Sequence, residues 1–198
     1  MRSRRCSALA LAALIAHLGG CLFDTRDPEP PTSGAIDYLP RSNAANVWEN
    51  CRLALINKDT GGWDTAVFEG FVYEPDSDTE QANPSVDWDS WGKDAEMNFI
   101  NSWFATDVTI SANLRDTDIN TPDGSGGVAE WEIIYLLSVV DNQSGSTTRY
   151  RGNAVLRFTV EGSYWFLTYW RDQNGEPDPD NPGSTLPTMG ALRAAFAP

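Results

Sequence analysis

The chain has 198 residues, a net charge of −14, eight tryptophans, three cysteines and one histidine. The acid excess opposes binding to nucleic acid, whose phosphates need a basic surface, and electrostatic docking on anionic lipid. The histidine is His17, so a chain cut after residue 20 would have no imidazole for a Ser-His-Asp or Cys-His pair or for a metal.

The first twenty residues read as an export signal. Arg2, Arg4 and Arg5 form a basic start, and Cys6 to Leu18 is an apolar run broken only by Ser7 and His17. That run is too short for a bilayer span of roughly 20 apolar residues, and it suits a signal core. It ends in Leu18-Gly19-Gly20-Cys21, which resembles the bacterial lipobox. The resemblance implies cleavage after Gly20 and lipid on Cys21. The alternative is an ordinary signal peptide with an incidental cysteine. Leu22, rather than Asp, follows the cysteine, which resembles a lipoprotein sorted to the outer membrane. The expected location is therefore the cell envelope, lipid-anchored and facing the periplasm or the surface. Cleavage would remove three arginines and no acid, taking the charge from −14 to −17. Cys51 would remain as the single thiol, so no intrachain disulfide is expected.

Residues 21–41 read as the lipidated cysteine and a tether. The stretch Asp24 to Gly34 is charged, proline-rich and short of anything to bury. A flexible chain of that length reaches on the order of 25 Å. Residues 42–198 are one domain's worth of chain.

A helix is predicted from Ser42 or Asn43 to about Lys58, with Val47, Cys51 and Leu55 on one face and Trp48 beside them. Gly61-Gly62 is expected to end it. Trp63 to Tyr73 is apolar and of ambiguous type, and Glu74 to Asp89 reads as an acidic loop. A second helix is predicted from Asp89 or Ser90 to about Phe104. Trp91, Ala95, Asn98 or Phe99, and Trp103 mark its inner face, and Asp94 and Glu96 suit the positive end of its dipole.

The period then changes to two. Val108 to Leu114 alternates as a half-buried strand. Trp131 to Val140 makes a second strand, expected to be covered on both faces, and Tyr150 to Val160 a third. A turn at Glu161-Gly162 leads to a fourth, Tyr164 to Asp172. A proline-rich loop and a short helix near Met189 to Phe196 close the chain.

This order implies an α+β domain: a curved antiparallel sheet of about four strands, with the N-terminal helices packed on its concave face. Residues 43–172 resemble the nuclear transport factor two-like, or SnoaL-like, superfamily, a cone-shaped, cystatin-like roll. The resemblance rests on the helix order and on Tyr150-Arg151-Gly152-Asn153-Ala154, Phe158, Trp165-Phe166-Leu167 and Trp170-Arg171-Asp172. It implies that the space between helices and sheet can be an open cone that binds small apolar or aromatic ligands. Trp88, Trp91, Trp103, Tyr135, Tyr169 and Arg171 are the candidate lining. The alternative makes the aromatics core filling.

Arg171 and Asp172 must point to opposite faces of their strand. The superfamily's enzymes use an acidic residue in the cone, often with histidine, which implies Asp172 as a candidate general base. The bland alternative for Asp172 is an ion pair or a structural hydrogen bond. Asp116, Asp118 and Asn120 fall at the first, third and fifth positions of a calcium-loop pattern. The pattern then breaks, with Thr121 where glycine belongs and Gly127 where glutamate belongs. No cofactor is suggested. The expected function is non-catalytic: an envelope-tethered domain that binds a small ligand or an envelope protein, or is structural. The alternative is a carboxylate-dependent isomerase, cyclase or hydrolase of the SnoaL-like type.

Overall fold

The computed structural model describes residues 36–197. The export signal, Cys21 and most of the tether lie outside them. Among the described residues no helix is long and apolar enough to cross a membrane.

Helix α1 is Ala44–Asn57. Asn43 caps it, accepting from the Asn46 amide at 2.8 Å, and Val47, Trp48, Cys51, Ala54 and Leu55 form its buried face. Lys58, rather than Gly61-Gly62, ends the helix. It turns left-handed at φ 51°, and its amide donates to the Ala54 and Leu55 carbonyls. The two glycines belong to a short helix α2, Thr60–Ala66, capped by Asp59.

The segment of ambiguous type divides at residue 67. Val67–Glu74 is a strand, β1. The acidic loop after it holds helix α3, Ser77–Ala82, capped by Asp76, and a 3-10 turn at Trp88–Ser90. Helix α4 is Lys93–Phe104, its cap two to three residues later than the expected Asp89 or Ser90. Gly92 precedes it without a side-chain cap. Four long strands follow: β2 Val108–Asn120, β3 Val128–Asp141, β4 Thr147–Glu161 and β5 Tyr164–Gly175. Helix α5, Met189–Ala195, closes the domain.

The sheet order is β1-β5-β4-β3-β2. The last four strands form the expected antiparallel meander, and β1 adds a fifth strand parallel to β5. The α+β arrangement with N-terminal helices on one face of a curved sheet is the one expected. Along β3, Trp131, Ile133, Tyr135, Leu137 and Val139 are buried. Ile134, Leu136 and Val140 are only half buried, so the second face is not fully covered.

The core lies between this sheet and the helices. Trp48 of α1 meets Trp170 and Phe158 edge-on at 5.3 and 6.1 Å. Its indole nitrogen donates to the Leu114 carbonyl at 2.9 Å, which satisfies the one polar atom a buried tryptophan carries. The chain enters the domain through a fastened segment. Asn50 exchanges two 2.8 Å bonds with the Leu39 backbone, and Tyr38 donates to Asp59 at 2.7 Å. Arg41 also donates to the Thr65 carbonyl, so Tyr38, Leu39 and Arg41 are each bonded to the helices.

Candidate functional site

Alternation along β5 turns Trp170 and Asp172 inward and leaves Arg171 exposed. The Asp172 side chain is 1% exposed, and four donors converge on it. Oδ1 accepts from Tyr135 at 2.9 Å and from the Trp170 indole at 2.8 Å. Oδ2 accepts from Tyr73 at 2.8 Å and from the Gly190 amide at 3.1 Å. A carboxylate offers about four lone-pair sites, so this one is saturated by the protein itself.

Burial pushes the Asp172 carboxyl up from its ordinary value. The Arg193 charge and the bonds from Trp170, Tyr73 and Tyr135 work against that rise. Burial and the Asp172 charge hold the two phenols well above their ordinary range. They therefore stay protonated and act as donors. Tyr135 also accepts from the Met189 amide at 2.7 Å, which ties it to the start of α5.

A buried ion pair lies beside this cluster. Arg193 of α5 and Glu96 of α4 are both fully buried. The guanidinium donates Nε and Nη2 to the two Glu96 oxygens, each at 2.9 Å. The Trp91 indole holds Glu96 from the other side at 2.9 Å. Burial works to lower the Arg193 pKa, but the Glu96 charge and hydrogen bonds outweigh it and raise it. Sequence reasoning gave Glu96 to the helix dipole and assigned Arg193 nothing. Their partnership spans 97 residues, and no local pattern marks it.

Of the candidate lining, Trp88, Trp91, Trp103 and Tyr135 are in the interior, and each is buried. Trp88 stacks on Trp91 at 5.1 Å and Trp103 on Phe99 at 5.5 Å. They fill space against one another. Tyr169 and Arg171 are not with them. Tyr169 is only partly buried, donates to Glu74 at 2.7 Å, and lies under the Arg157 guanidinium.

Among the described residues, four of the surface clefts hold between 280 and 560 Å³. The largest of these four is lined by the entering segment Tyr38 to Arg41, by Asn50 and Asp59, and by Tyr164. Trp88 borders another. Asp172, Tyr135, Trp91 and Trp103 line none of the four.

The calcium-like stretch is not a loop. Asp116, Asp118 and Asn120 lie in β2, which runs to Asn120. Asp116 accepts from Arg151 at 2.8 Å, and Asp118 pairs with Arg115. Among the described residues, no group of three or more His, Cys, Asp or Glu is placed to hold a metal. Cys51 is free and buried, and burial pushes its thiol up, away from reactivity.

No family model matches the sequence, and no curated protein matches it. Solved structures do resemble it. A Novosphingobium aromaticivorans protein, provisionally described as an aromatic ring hydroxylase, superposes with a TM-score of 0.55 at 12% identity, covering 80% of this chain and 99% of its own. A protein from Planctomyces limnophilus superposes with a TM-score of 0.50 at 13% identity, covering 65% of this chain and 91% of its own. The neighbours also include a nuclear transport factor 2-like superfamily protein from Salmonella enterica, with a TM-score of 0.48 at 10% identity, covering 64% of this chain and 84% of its own. At such identities the likeness is one of fold.

Proposed function

We propose that the chain is a lipoprotein of the nuclear transport factor two-like superfamily, held in the cell envelope by lipid on Cys21, and that its domain acts without catalysis. Its role is structural or lies in contacts with an envelope partner. The observation that carries this reading is the saturated Asp172. A general base needs a lone pair facing its substrate, and here each carboxylate oxygen already accepts two donors. Of the tryptophans expected to line a cup, Trp88 stacks on Trp91 and Trp103 on Phe99, so these rings support a filled interior rather than an open cone.

The test is tryptophan emission and thermal melting of the purified protein against a panel of neutral apolar and aromatic compounds. No saturable change is expected. A compound that binds saturably, and stops binding when Tyr135 or Trp170 is substituted, would overturn the closed-interior reading. Turnover of any such compound that is lost in Asp172→Asn with the fold intact would restore the enzyme reading.

A further inference from the structure

The guanidinium of Arg193 sits in a cage supplied entirely by other elements. Tyr73 of β1, Trp170 of β5 and Phe99 of α4 present their rings to it, with centroids 4.0, 4.6 and 5.4 Å from Cζ. Glu96 of α4 takes two of its nitrogens. Asp172 adds a second buried carboxylate whose charge also acts on it. Aromatic faces around a desolvated cation, with a carboxylate matched to its fork, are the chemistry of guanidinium recognition.

Much of the cage is bonded by elements other than α5. Asp172 is held by Tyr73, Tyr135 and Trp170, and Glu96 by Trp91, none of which belongs to α5. What α5 brings is the cation, with two backbone amides donated to Asp172 and Tyr135. The helix is seven residues long and follows a proline-rich loop. The fit is also incomplete, because Arg193 Nη1 is buried without a hydrogen-bond partner. With Arg193 withdrawn, the cage would hold two buried carboxylates without their counter-charge, which a proton or a replacement cation would have to supply.

We propose that the cone interior is a guanidinium-binding site, that Arg193 is its built-in ligand, and that α5 is a plug which a small alkylguanidinium solute displaces. This goes beyond the non-catalytic reading and would survive its failure.

The probe is methylguanidinium and the protein is the full chain. In Arg193→Ala it should raise the melting temperature saturably, by about 5 °C or more once the site is filled. Methylammonium or sodium chloride at equal ionic strength should do much less. The response should vanish in Arg193→Ala/Glu96→Gln, and in Arg193→Met, where a neutral chain fills the space. If Arg193→Ala is unfolded at 25 °C, the readout becomes the near-ultraviolet circular dichroism regained on titration with methylguanidinium. No saturable response, or an equal response in the double variant or to sodium chloride, overturns the cage. For the plug, hydrogen exchange of the Met189–Ala195 amides in the unaltered chain should quicken as methylguanidinium is added. Unchanged exchange at saturating probe overturns displacement.

Discussion

Tyr135 and Gly152 stand opposite each other across the β3–β4 ladder, and the side chain that one lacks is the path the other takes. Tyr135 crosses β4 above Gly152 to reach Asp172 on β5. A Cβ at residue 152 would lie 2.7 Å from the Tyr135 hydroxyl and 3.1 Å from Thr188. Gly152→Ala should therefore cost about 1–3 kcal/mol, as overpacking does. Urea denaturation measures it, and a neutral result would mean that Tyr135 has freedom the packing denies it.

Removing the hydroxyl tests the same contact from the other side. Tyr135→Phe keeps the ring, deprives Asp172 of a donor and leaves the Met189 amide without its acceptor. The expected loss is about 1–3 kcal/mol. Exchange of the Met189 amide should quicken more than exchange along β3. Uniform quickening through the sheet would argue that Tyr135 does not fasten α5.

Trp170 is the tryptophan on which the core leans most. It is fully buried, touches Trp48 and Tyr135, and donates to Asp172. Trp170→Ala should cost about 3–5 kcal/mol, a large share of the usual 5–15 kcal/mol. Trp165, near the start of the same strand, is only partly buried. Its alanine variant should cost clearly less in the same melts.

Two aspartates give opposite pH signatures. Burial works to raise the Asp76 pKa, but the Thr188 and Thr79 hydroxyls and the Thr79 amide outweigh it and leave it lowered. Its contribution is present above roughly pH 4, the ordinary carboxylate value, and is lost as pH falls through its folded pKa. Asp172 is raised by burial, so its contribution is full below roughly pH 4 and declines as pH rises through its folded pKa. Stability of Asp76→Asn measured between pH 2 and 5 should fall less steeply on acidification than that of the parent chain. An unchanged slope would remove Asp76 from the account.

The acidic end of β2 should be indifferent to calcium. Asp118 faces solvent and pairs with Arg115 three residues away, a surface contact of little worth. Asp118→Ala should stay within about ±0.5 kcal/mol of the parent. Melts with calcium and with chelator should coincide. A chelator-induced drop abolished by Asp118→Ala would make this strand end a metal site.

The anchor is tested in cells. Cys21→Ser should abolish lipid labelling and leave the signal uncut. A correctly processed soluble product from that variant would support an ordinary signal peptide instead.

Period made α1, α4 and the four-strand meander legible, and capping placed the start of α1, because those signals are local. Strand β1 was not legible. Gly70 and the register shift between Val67 and Val72 erase its alternation, and its partner lies a hundred residues away at Leu167. The strand-adjacent pair Arg171 and Asp172 told which two faces were involved but not which residue went in. Packing against Tyr73 and α5 decided that. Glu96 misled for a related reason: an acid in a helix's first turn is explained well enough by the dipole, so nothing prompts a search for Arg193.

The placing of β1 also constrains how the chain is made. A parallel edge strand that pairs only with the last strand cannot join the sheet until residues near Leu167 exist and have found it. Helix α1 meets the same delay, since Trp48 packs on Phe158 and Trp170. Contacts so distant in sequence form slowly. A growing chain would therefore pass through a long interval in which its first 104 residues, which hold five of the eight tryptophans, lack the sheet they bury against. For such a chain, a holding chaperone would matter more than for a fold built of neighbouring hairpins.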